Sequence, residues 1–476
     1  MHRPQQSTTL SAEPPGPRGL PVVGNAFAFG RDPLGFVTET QRAFGEIATV
    51  RLGSRAVVLC FRPEHVRALL VEQASRVTPL GIAPLLTEFL GDGLLTSDGD
   101  FHHEQRRLIQ PAFHRRRIDG YAATMVGFTE EMLEGWEPGA EIDLSRAMAT
   151  LTLRIVARAL FSVDLEADAA GAALGRTFHD LIESLPQGFG LLPRLRRLDL
   201  PFTGYRRHLA ARRRLDAYVY DLIARRRAAG DDTGDVLAWL LDAGDGDDAM
   251  TDRQIRDQTM TLFAAGHETT ANALSWSFYL LSENPAVRDR LLAELAAVLA
   301  GRAPTVADLP RLTYLDWVAT ESMRLYPPAW TQGRVAREPL ELVGYRFPAG
   351  TRFMFSQWVI HRRPDIWGDA DVFRPERWDP EAGEKPPQWA YFPFGGGPRT
   401  CIGMPFAQME LRLLLATILQ RYAPRLVSGH PVVPWPRITL RPKYGMRMIL
   451  EPAGRVAPAP GTEPVRLPDR PPLSAD

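Results

Sequence analysis

The sequence predicts a mainly α-helical protein with small β-sheet regions. Long helical patterns of apolar residues dominate from about residue 100 to residue 330. Short strand-like segments lie before and after them. Because strands and helices do not alternate along the chain, a fold built from βαβ units is excluded. A length of 476 residues would by itself allow about three domains.

Three pairs of strands are predicted. In the first, at residues 46–61, EIATVRL and RAVVLCF flank a two-residue turn at Gly53-Ser54. In the second, at residues 340–355, PAG connects LELVGYRF to TRFMF. The third is a hairpin within ITLRPKYGMRMIL, residues 438–450, which closes the folded part of the chain.

A helix long enough to cross a domain is predicted after the stretch 230–250, which is rich in glycine and aspartate and contains a surface connection. Thr251 and Gln254 can form a capping box at its start. The helix is expected from Asp252 to about Ser282, and Asn284-Pro285 ends it. At 1.5 Å per residue this helix would be about 45 Å long.

Charge and cysteine content narrow the classes of function. Lys+Arg and Asp+Glu both number 56, so the composition gives no signal for nucleic acid or a membrane surface. The two cysteines, Cys60 and Cys401, cannot form a disulfide framework and are typical of a reducing cytoplasm. No membrane anchor or signal peptide is recognised. Segments 1–13 and 454–476 are proline-rich and poor in large apolar residues, and we expect both to be disordered.

The stretch FGGGPRTCIG places Cys401 in a glycine-rich loop. A helix beginning just after it would point free N–H groups and its positive end at the sulfur, which favours a thiolate. Gly395–Gly397 permit tight bends, and Gly403 lets the backbone approach closely. Phe394 can shield the sulfur from water, and Arg399 can reach an anionic group on the same face.

A glycine run before a cysteine is by itself compatible with a buried structural thiol. The complete pattern Phe-x-x-Gly-x-Arg-x-Cys-x-Gly is more demanding, and it is met at every fixed position. It resembles the haem-binding loop of the cytochrome P450 superfamily. The resemblance implies that Cys401 is the proximal ligand of haem b, whose thiolate donates electron density toward O–O cleavage. It also implies the cytochrome P450 fold, as a single large domain over residues 14–453.

Glu321 and Arg324 lie at i, i+3 in an apolar context, LDWVATESMRLYPP. Exposed pairs of this kind are common, but buried charges need partners. The pair resembles the family's E-x-x-R motif, and FRPERW supplies the arginine expected to complete it, Arg377. The resemblance implies a structural network of these three side chains, which braces the region leading into the cysteine loop.

The sequence AGHETT lies in the middle of the long predicted helix. Gly266 weakens a helix by about 1 kcal/mol relative to alanine, and Thr269 can bond back to a carbonyl one turn earlier. AGHETT resembles the family's oxygen-activation motif, with a tolerated polar patch as the alternative. The resemblance implies that the helix widens there to admit O₂ and water. It also implies that Thr269 hydrogen-bonds the oxygen being activated and that Glu268 helps to relay protons from solvent.

Haem carries two propionates, so the resemblance also implies cationic contacts. His102 and Arg106 are spaced i, i+4 and fit the His-x-x-x-Arg form of bacterial members. Arg334 and Arg399 match two further propionate contacts. For His102, a solvated basic helix face is the alternative.

These motifs together imply a haem-thiolate monooxygenase that inserts one oxygen atom of O₂ into a small apolar substrate, by hydroxylation or epoxidation. No reductase-like segment is recognised, so electrons are expected from a separate ferredoxin or flavodoxin and its NAD(P)H-dependent reductase. Arg115–Arg117 are a candidate docking face, although a solvated charge run is the simpler explanation. A peroxygenase, a non-catalytic gas sensor, and a zinc or nucleophilic-cysteine enzyme built on Cys401 are the alternatives.

The substrate pocket is expected to be apolar, with walls from the 77–95 loop, the 180–205 region, Leu262–Thr270 and Ala329–Gly333. The run GDGLLTSDG…RRLIQPAFHRRRI is similar to that of bacterial members that hydroxylate cyclic terpenes, and fatty-acid-hydroxylating members share much of it. We therefore expect a terpenoid or another secondary-metabolite intermediate, with a fatty acid as the alternative. The expected pocket residues are Leu80, Ile82, Leu85, Leu86, Phe89, Phe263, Ala265, Gly266 and Trp330.

Overall fold

The structure is a computed structural model that describes residues 13–455 except 81–83, 166–176, 178–203, 231–232, 244–248, 382 and 384. Within this part of the chain, helices far exceed strands, as predicted. The predicted disordered ends lie almost wholly outside it. The α-helices are α1 (Ala26–Arg31), α2 (Pro33–Phe44), α3 (Pro63–Arg67), α4 (Pro84–Leu90), α5 (Gly99–Ile109), α6 (Arg115–Ile118), α7 (Ala122–Glu134), α8 (Leu144–Phe161), α9 (Gly204–Ala229), α10 (Val236–Asp242), α11 (Asp252–Glu283), α12 (Pro285–Leu299), α13 (Thr313–Leu325), α14 (Gln357–Ile360), α15 (Pro364–Trp367) and α16 (Met404–Leu419).

Short strands form four small sheets. A five-stranded sheet has the order β1-β2-β8-β5-β3, a three-stranded sheet has the order β4-β12-β9, and β6–β7 and β10–β11 are separate pairs. All pairings are antiparallel except that of β2 with β8. The strands are β1 (Ile47–Leu52), β2 (Arg55–Cys60), β3 (Val77–Pro79), β4 (Glu141–Asp143), β5 (Gln332–Ala336), β6 (Leu340–Leu342), β7 (Tyr345–Phe347), β8 (Arg352–Phe355), β9 (Tyr422–Leu426), β10 (Pro434–Pro436), β11 (Leu440–Pro442) and β12 (Arg447–Pro452).

The first predicted hairpin is confirmed. Strands β1 and β2 pair from Ile47 with Cys60 to Leu52 with Arg55, and Gly53-Ser54 forms the turn. Gly53 has a φ of 66°, in the left-handed region that glycine adopts without strain.

The other two predicted strand pairs are wrong. The segment 340–347 is itself a hairpin of β6 and β7, which turns at Val343-Gly344. Strand β8 pairs instead with β2 and β5 in the large sheet. Within 438–450, β11 pairs with β10, whereas β12 pairs with β4 and β9. In both segments a strand takes its partners from distant parts of the chain.

The long helix α11 follows the sequence prediction closely. Thr251 and Gln254 form both hydrogen bonds of a capping box at its start, and the helix ends one residue later than expected, at Glu283. Gly266 lets α11 approach α8 closely, because a Cβ added to it would lie 3.0 Å from a methyl group of Val156. The crossing therefore has a packing reason for glycine in mid-helix.

The largest cluster of buried apolar side chains contains residues from α8, α11 and α16. The AGHETT sequence lies in α11, and the loop that carries Cys401 comes directly before α16. One core thus positions both motifs. None of the described helices is both long and apolar enough to span a membrane.

Candidate active site

Glycines fix the path of the chain into Cys401. Gly397 has a φ of 64°, and a Cβ placed on it would lie 1.8 Å from the carbonyl oxygen of Leu70. A Cβ on Gly396 would lie 2.1 Å from the ring of Trp389. Any other residue at these two positions would displace its neighbours.

The Cys401 sulfur faces a large cavity at the start of α16. The Cys401 N–H donates to the Phe394 carbonyl oxygen at 3.0 Å, which closes the loop. Burial among protein groups raises the pKa of the thiol, and the N–H of Gly403, the guanidinium of Arg106 and the N–H of Met404 oppose this effect only in part. The protein alone therefore favours the neutral thiol, although the side chain is accessible from the cavity. A metal cation at the sulfur would release the proton.

Phe394 and Gly403 are two further residues of the loop for which a contact with the cofactor is predicted. Phe394 is half-buried and lines the cavity beside Cys401. A Cβ on Gly403 would lie 4.0 Å from Cys401 Sγ, which is an ordinary contact. No described protein atom thus requires glycine at position 403, and the close approach expected there remains a prediction about the face that the cavity presents to haem.

One cavity of about 2210 Å³ brings the predicted site residues together. It is bordered by the cysteine loop, α5, α11, the segment after α13 and the turn between β10 and β11. Of the predicted pocket residues, Leu80, Ala265, Gly266 and Trp330 line it. Most of its border is apolar, and one group of basic side chains on it comes from α5, β5 and the cysteine loop.

Phe263 is a correction to the predicted pocket. Its ring centroid lies 6.0 Å from that of Phe161 on α8, in the core and not on the cavity wall. Leu262, Ala265 and Thr269 recur at helical spacing on the cavity face of α11, and position 263 falls outside that stripe.

Phe89 is a second correction, because its side chain is fully buried and does not line the cavity. Ile82 lies outside the described residues, and so does almost all of the predicted wall at 180–205. The side chains of Leu85 and Leu86 are likewise outside them. Their place in the pocket stays a prediction.

Four basic side chains from three parts of the chain line the cavity together: His102 and Arg106 from α5, Arg334 from β5 and Arg399 from the cysteine loop. Arg399 donates to Asp98 Oδ1 at 2.9 Å. Arg334 donates to a neighbouring backbone carbonyl. The guanidinium of Arg106 has no hydrogen bond or ion pair among the described residues. The guanidinium groups thus outnumber the carboxylate that they face.

These basic groups lower one another's pKa values. Burial lowers the pKa of Arg334 to about 10, and the charge of Arg399 adds to the effect. Burial also lowers the pKa of His102 to about 4, with further contributions from Arg399 and Arg106, so His102 is neutral near pH 7. An anion among them would relieve this repulsion. A sulfur donor for iron and a cationic cluster for two propionates therefore line one cavity, and the residues fit haem.

The predicted oxygen-activation residues also reach the cavity. Thr269 Oγ1 donates to the carbonyl oxygen of Ala265 at 2.7 Å, the back-bond that the sequence suggested. Helix α11 is α-helical from end to end, so the widening expected at AGHETT is not observed. Glycine at position 266 is explained instead by the packing of α11 on α8.

Glu268 is held by a residue that the sequence analysis did not identify. Thr439 Oγ1, in the turn between β10 and β11, donates to Glu268 Oε1 at 2.7 Å. Asn272, one turn along α11 on the same face, donates its amide to Thr439 Oγ1 at 3.0 Å. The i, i+4 spacing of Glu268 and Asn272 was a usable sequence signal for a shared partner, but nothing in the sequence pointed to position 439.

The three residues of the expected ionic network meet in the core, where Glu321 and Arg324 are fully buried and Arg377 is partly buried. Arg324 donates to both carboxylate oxygens of Glu321 at 2.8 Å, and Arg377 donates to Oε1 at 3.2 Å. The indole N–H of Trp378 and the backbone N–H of Arg374 also donate to this carboxylate. Burial raises the pKa of Glu321, but the two arginines outweigh it, and the net pKa lies below the usual value. The carboxylate is thus ionised and saturated with donors.

His361 links this network to the cysteine loop. Its carbonyl oxygen accepts from Arg324 at 2.6 Å, and its Nε2 accepts from the N–H of Phe392 at 3.1 Å. The hydroxyl of Tyr391 donates to the Thr320 carbonyl oxygen on α13 at 3.2 Å. The chain leading to Cys401 is therefore fixed to α13 by two adjacent residues, and the sequence gave no sign of His361 in this role.

Glu410, on α16, is a buried acid that no motif indicated. Its side chain is 0% exposed, and neither carboxyl oxygen has a hydrogen-bond partner of ordinary geometry among the described residues. Burial raises the pKa of Glu410 to about 8, and the nearby hydroxyl of Thr270 on α11 offsets this only in part. Glu410 is therefore a neutral carboxylic acid near pH 7.

The comparisons with known proteins agree with this site. The family model "Cytochrome P450" matches residues 14–446. Cyclooctatin synthase from Streptomyces melanosporofaciens is 40% identical over 443 residues, covering 92% of this chain and 95% of that protein. Cyclooctat-9-en-7-ol 5-monooxygenase from the same species is 37% identical, covering 87% and 90%. Pentalenene oxygenase from Streptomyces avermitilis is 35% identical, covering 88% and 92%.

A solved structure gives the same result for the fold. Retinoic acid-bound cyanobacterial CYP120A1 superposes with a TM-score of 0.82 at 28% sequence identity, over 93% of this chain and 99% of that one.

The alternative of a zinc enzyme finds no support, since the described residues contain no group of three or more His, Cys, Asp and Glu side chains that could hold a metal ion.

Proposed function

The chain belongs to the cytochrome P450 family of haem-dependent monooxygenases, and we propose that it oxidises a cyclic terpenoid. The observation that carries this proposal is a single cavity bordered by Cys401, a guanidinium cluster, the Glu268-Thr269 pair and apolar side chains. The names of the similar Streptomyces proteins, cyclooctat-9-en-7-ol 5-monooxygenase and pentalenene oxygenase, support a cyclic apolar substrate.

Haem, when bound, supplies the redox chemistry that activates O₂. In this proposal, Cys401 provides a thiolate that the N–H groups at the start of α16 stabilise. Arg106, Arg334 and Arg399 hold the propionates through charge-assisted hydrogen bonds. The remaining cavity walls exclude water from the substrate, which protects the reaction from wasteful proton leakage.

Proton delivery falls to Glu268 and Thr269, which are adjacent on α11 and both line the cavity. Glu268 is half-buried, so it has access both to water and to the cavity interior. The Thr269 hydroxyl is bonded to the Ala265 carbonyl and can turn to donate elsewhere with the loss of one hydrogen bond. A carboxylate and a hydroxyl in this arrangement can pass protons in succession.

Electron supply and location are further parts of the proposal. We assign reduction to a separate ferredoxin or flavodoxin with an NAD(P)H-dependent reductase. A reducing cytoplasm suits a chain whose two cysteines are a buried thiol, Cys60, and the ligand, Cys401. Arg115, Arg116 and Arg117 are all exposed, and the guanidinium of Arg117 also lies 4.6 Å from the centroid of the Trp239 ring. A partner could therefore meet all three arginines of the run.

A fatty acid is the second candidate substrate, because it would also fill an apolar cavity. The cavity presents several arginines that a carboxylate could reach, among them Arg437 in the turn between β10 and β11 and Arg441 on β11. A hydrocarbon or alcohol needs no such partner.

A binding and turnover experiment tests the proposal. The purified holoprotein is titrated with pentalenene, cyclooctat-9-en-7-ol and lauric acid, and the low-to-high-spin shift of the Soret band is recorded. We expect the cyclic compounds to give the shift and, with a ferredoxin, its reductase, NADPH and ¹⁸O₂, a product that carries one labelled oxygen atom. A shift with lauric acid alone would overturn the terpenoid assignment, and turnover with peroxide but not with NADPH would identify a peroxygenase.

A further inference from the structure

Thr439 ends a short hydrogen-bond chain on the acid of the oxygen-activation pair. Its hydroxyl accepts from the side-chain amide of Asn272 at 3.0 Å and lies 2.7 Å from Glu268 Oε1. A hydroxyl group has one proton, and the amide can only donate through Nδ2. The proton of Thr439 is therefore directed to the Glu268 carboxylate. Thr439 and Asn272 are each 6% exposed, so water competes weakly for these bonds.

The turn that carries Thr439 is itself fixed to the body of the protein. The indole N–H of Trp276, on α11, donates to the Leu440 carbonyl oxygen at 2.9 Å. The N–H of Leu440 donates to the Pro328 carbonyl oxygen at 2.9 Å. The indole N–H of Trp330 donates to the Arg437 carbonyl oxygen at 2.9 Å. Bonds on both sides of Thr439 thus hold its hydroxyl in place, and α11 supplies one of them.

We propose that Thr439 is a positioning residue that holds the Glu268 carboxylate for proton delivery. An unrestrained glutamate on a cavity wall has several rotamers, and a proton relay requires its carboxylate within hydrogen-bond reach of the next group. The fixed hydroxyl is one restraint on the Glu268 carboxylate and favours the orientation in which Oε1 accepts its proton. The same turn lines the cavity through Ile438 and Thr439, so a substrate lying against the turn shares a structural element with the relay. This inference rests on the proposed role of Glu268.

The test compares Thr439→Val, which keeps the shape and removes the hydroxyl, with Thr439→Ser, which keeps the hydroxyl. The holoprotein is assayed with pentalenene or cyclooctat-9-en-7-ol, whichever gives the larger Soret shift, for product and peroxide formed per NADPH consumed. We expect T439V to lower the product yield per NADPH roughly threefold or more with a matching rise in peroxide, and T439S to restore most of it. The substrate dissociation constant from the Soret shift should stay within about twofold. Thr417→Val removes a buried hydroxyl that bonds within α16 and serves as the matched control.

A double-mutant cycle links the effect to Glu268. In a Glu268→Gln background, T439V should cause no further loss of product yield. The urea midpoints of the four proteins should also be non-additive, which reports the Thr439–Glu268 contact independently of turnover.

Three results would overturn the positioning role alone, and a fourth would overturn it together with the proposed relay. The first is that T439V gives as much product per NADPH as the parent while E268Q gives less. This result would leave the proposed function intact. The second is T439S behaving like T439V. The third is a T439V protein with weaker substrate binding but unchanged peroxide, which would make Thr439 an ordinary pocket residue. If E268Q itself loses no coupling, the relay of the proposed function fails and the positioning role fails with it.

Discussion

Replacing Glu410 with glutamine should stabilise the protein at alkaline pH. The folded protein binds a proton at Glu410 up to about pH 8, whereas the unfolded chain loses it near the usual value of 4.5. Between these values the unfolded chain binds fewer protons, so the free energy of unfolding falls as pH rises. At roughly 1.4 kcal/mol per pH unit, the interval from 4.5 to about 8 amounts to at most about 5 kcal/mol. The stabilising contribution is complete below pH 4.5 and is lost as pH rises through 8.

The assay is urea unfolding of the holoprotein, followed by far-UV circular dichroism at pH 5 and pH 8.5. Glutamine has nearly the shape of the protonated acid and does not ionise, so E410Q should resemble the parent at pH 5 and exceed it at pH 8.5. The bound cofactor is common to both proteins. At each pH, the free energy of unfolding of the parent is subtracted from that of E410Q. The prediction is that this difference is larger at pH 8.5 than at pH 5.

An exposed glutamate supplies the control. Glu134, at the end of α7, is exposed, and its replacement by glutamine should shift stability by the same small amount at both pH values. If the difference in free energy of unfolding between E410Q and the parent is the same at pH 5 and pH 8.5, Glu410 does not retain its proton in the folded protein. That result would refute the reasoning from burial.

Three further predictions concern the ligand loop, the ionic network and the relay. Thr269→Ala should lower product formation by roughly tenfold or more and raise peroxide per NADPH; unchanged coupling would remove its assigned role. Glu321→Gln should lower the free energy of unfolding by about 3–5 kcal/mol, because Arg324 then keeps a buried charge without its partner; a urea midpoint near that of the parent would contradict this. Gly397→Ala should destabilise the protein by roughly 2–4 kcal/mol and reduce haem incorporation, because its Cβ meets the Leu70 carbonyl at a positive φ; normal incorporation at normal stability would show that the loop yields.

Local sequence rules succeeded where a structure depends on neighbours in the chain. The capping box of Thr251 and Gln254, the end of α11 before Pro285 and the Gly53-Ser54 hairpin each depend on a few adjacent residues. The predicted strand pairs at 340–355 and 438–450 were wrong because their strands pair with distant parts of the chain. The turn at Val343-Gly344 was missed because valine rarely adopts a positive φ, here 52°. Strand β8 follows it closely in sequence yet pairs with β2, far away in the chain.

The candidate site divides along the same line. The cysteine loop and the acid–threonine pair are contiguous sequences, so the motif named their residues directly. The prediction for Phe263 was wrong because adjacent residues of a helix point in different directions, and the sequence does not show which side of α11 faces the cavity. The contact of Glu268 with Thr439 and the burial of Glu410 arise between elements distant in sequence. Spacing within one helix can suggest a shared partner for Glu268 and Asn272, but it does not identify Thr439.

The close crossing of α8 and α11 has a consequence for how this enzyme can be re-engineered. Val156 stands against Gly266 and also borders the cavity. A larger side chain at position 156 would have no free space at the helix crossing, so it would push one of the two helices toward the cavity. Alanine at this position would enlarge the cavity and leave the residues proposed to take part in the reaction unchanged. The size of substrate that the cavity accepts can therefore be adjusted through Val156, a wall residue that belongs to none of the recognised motifs.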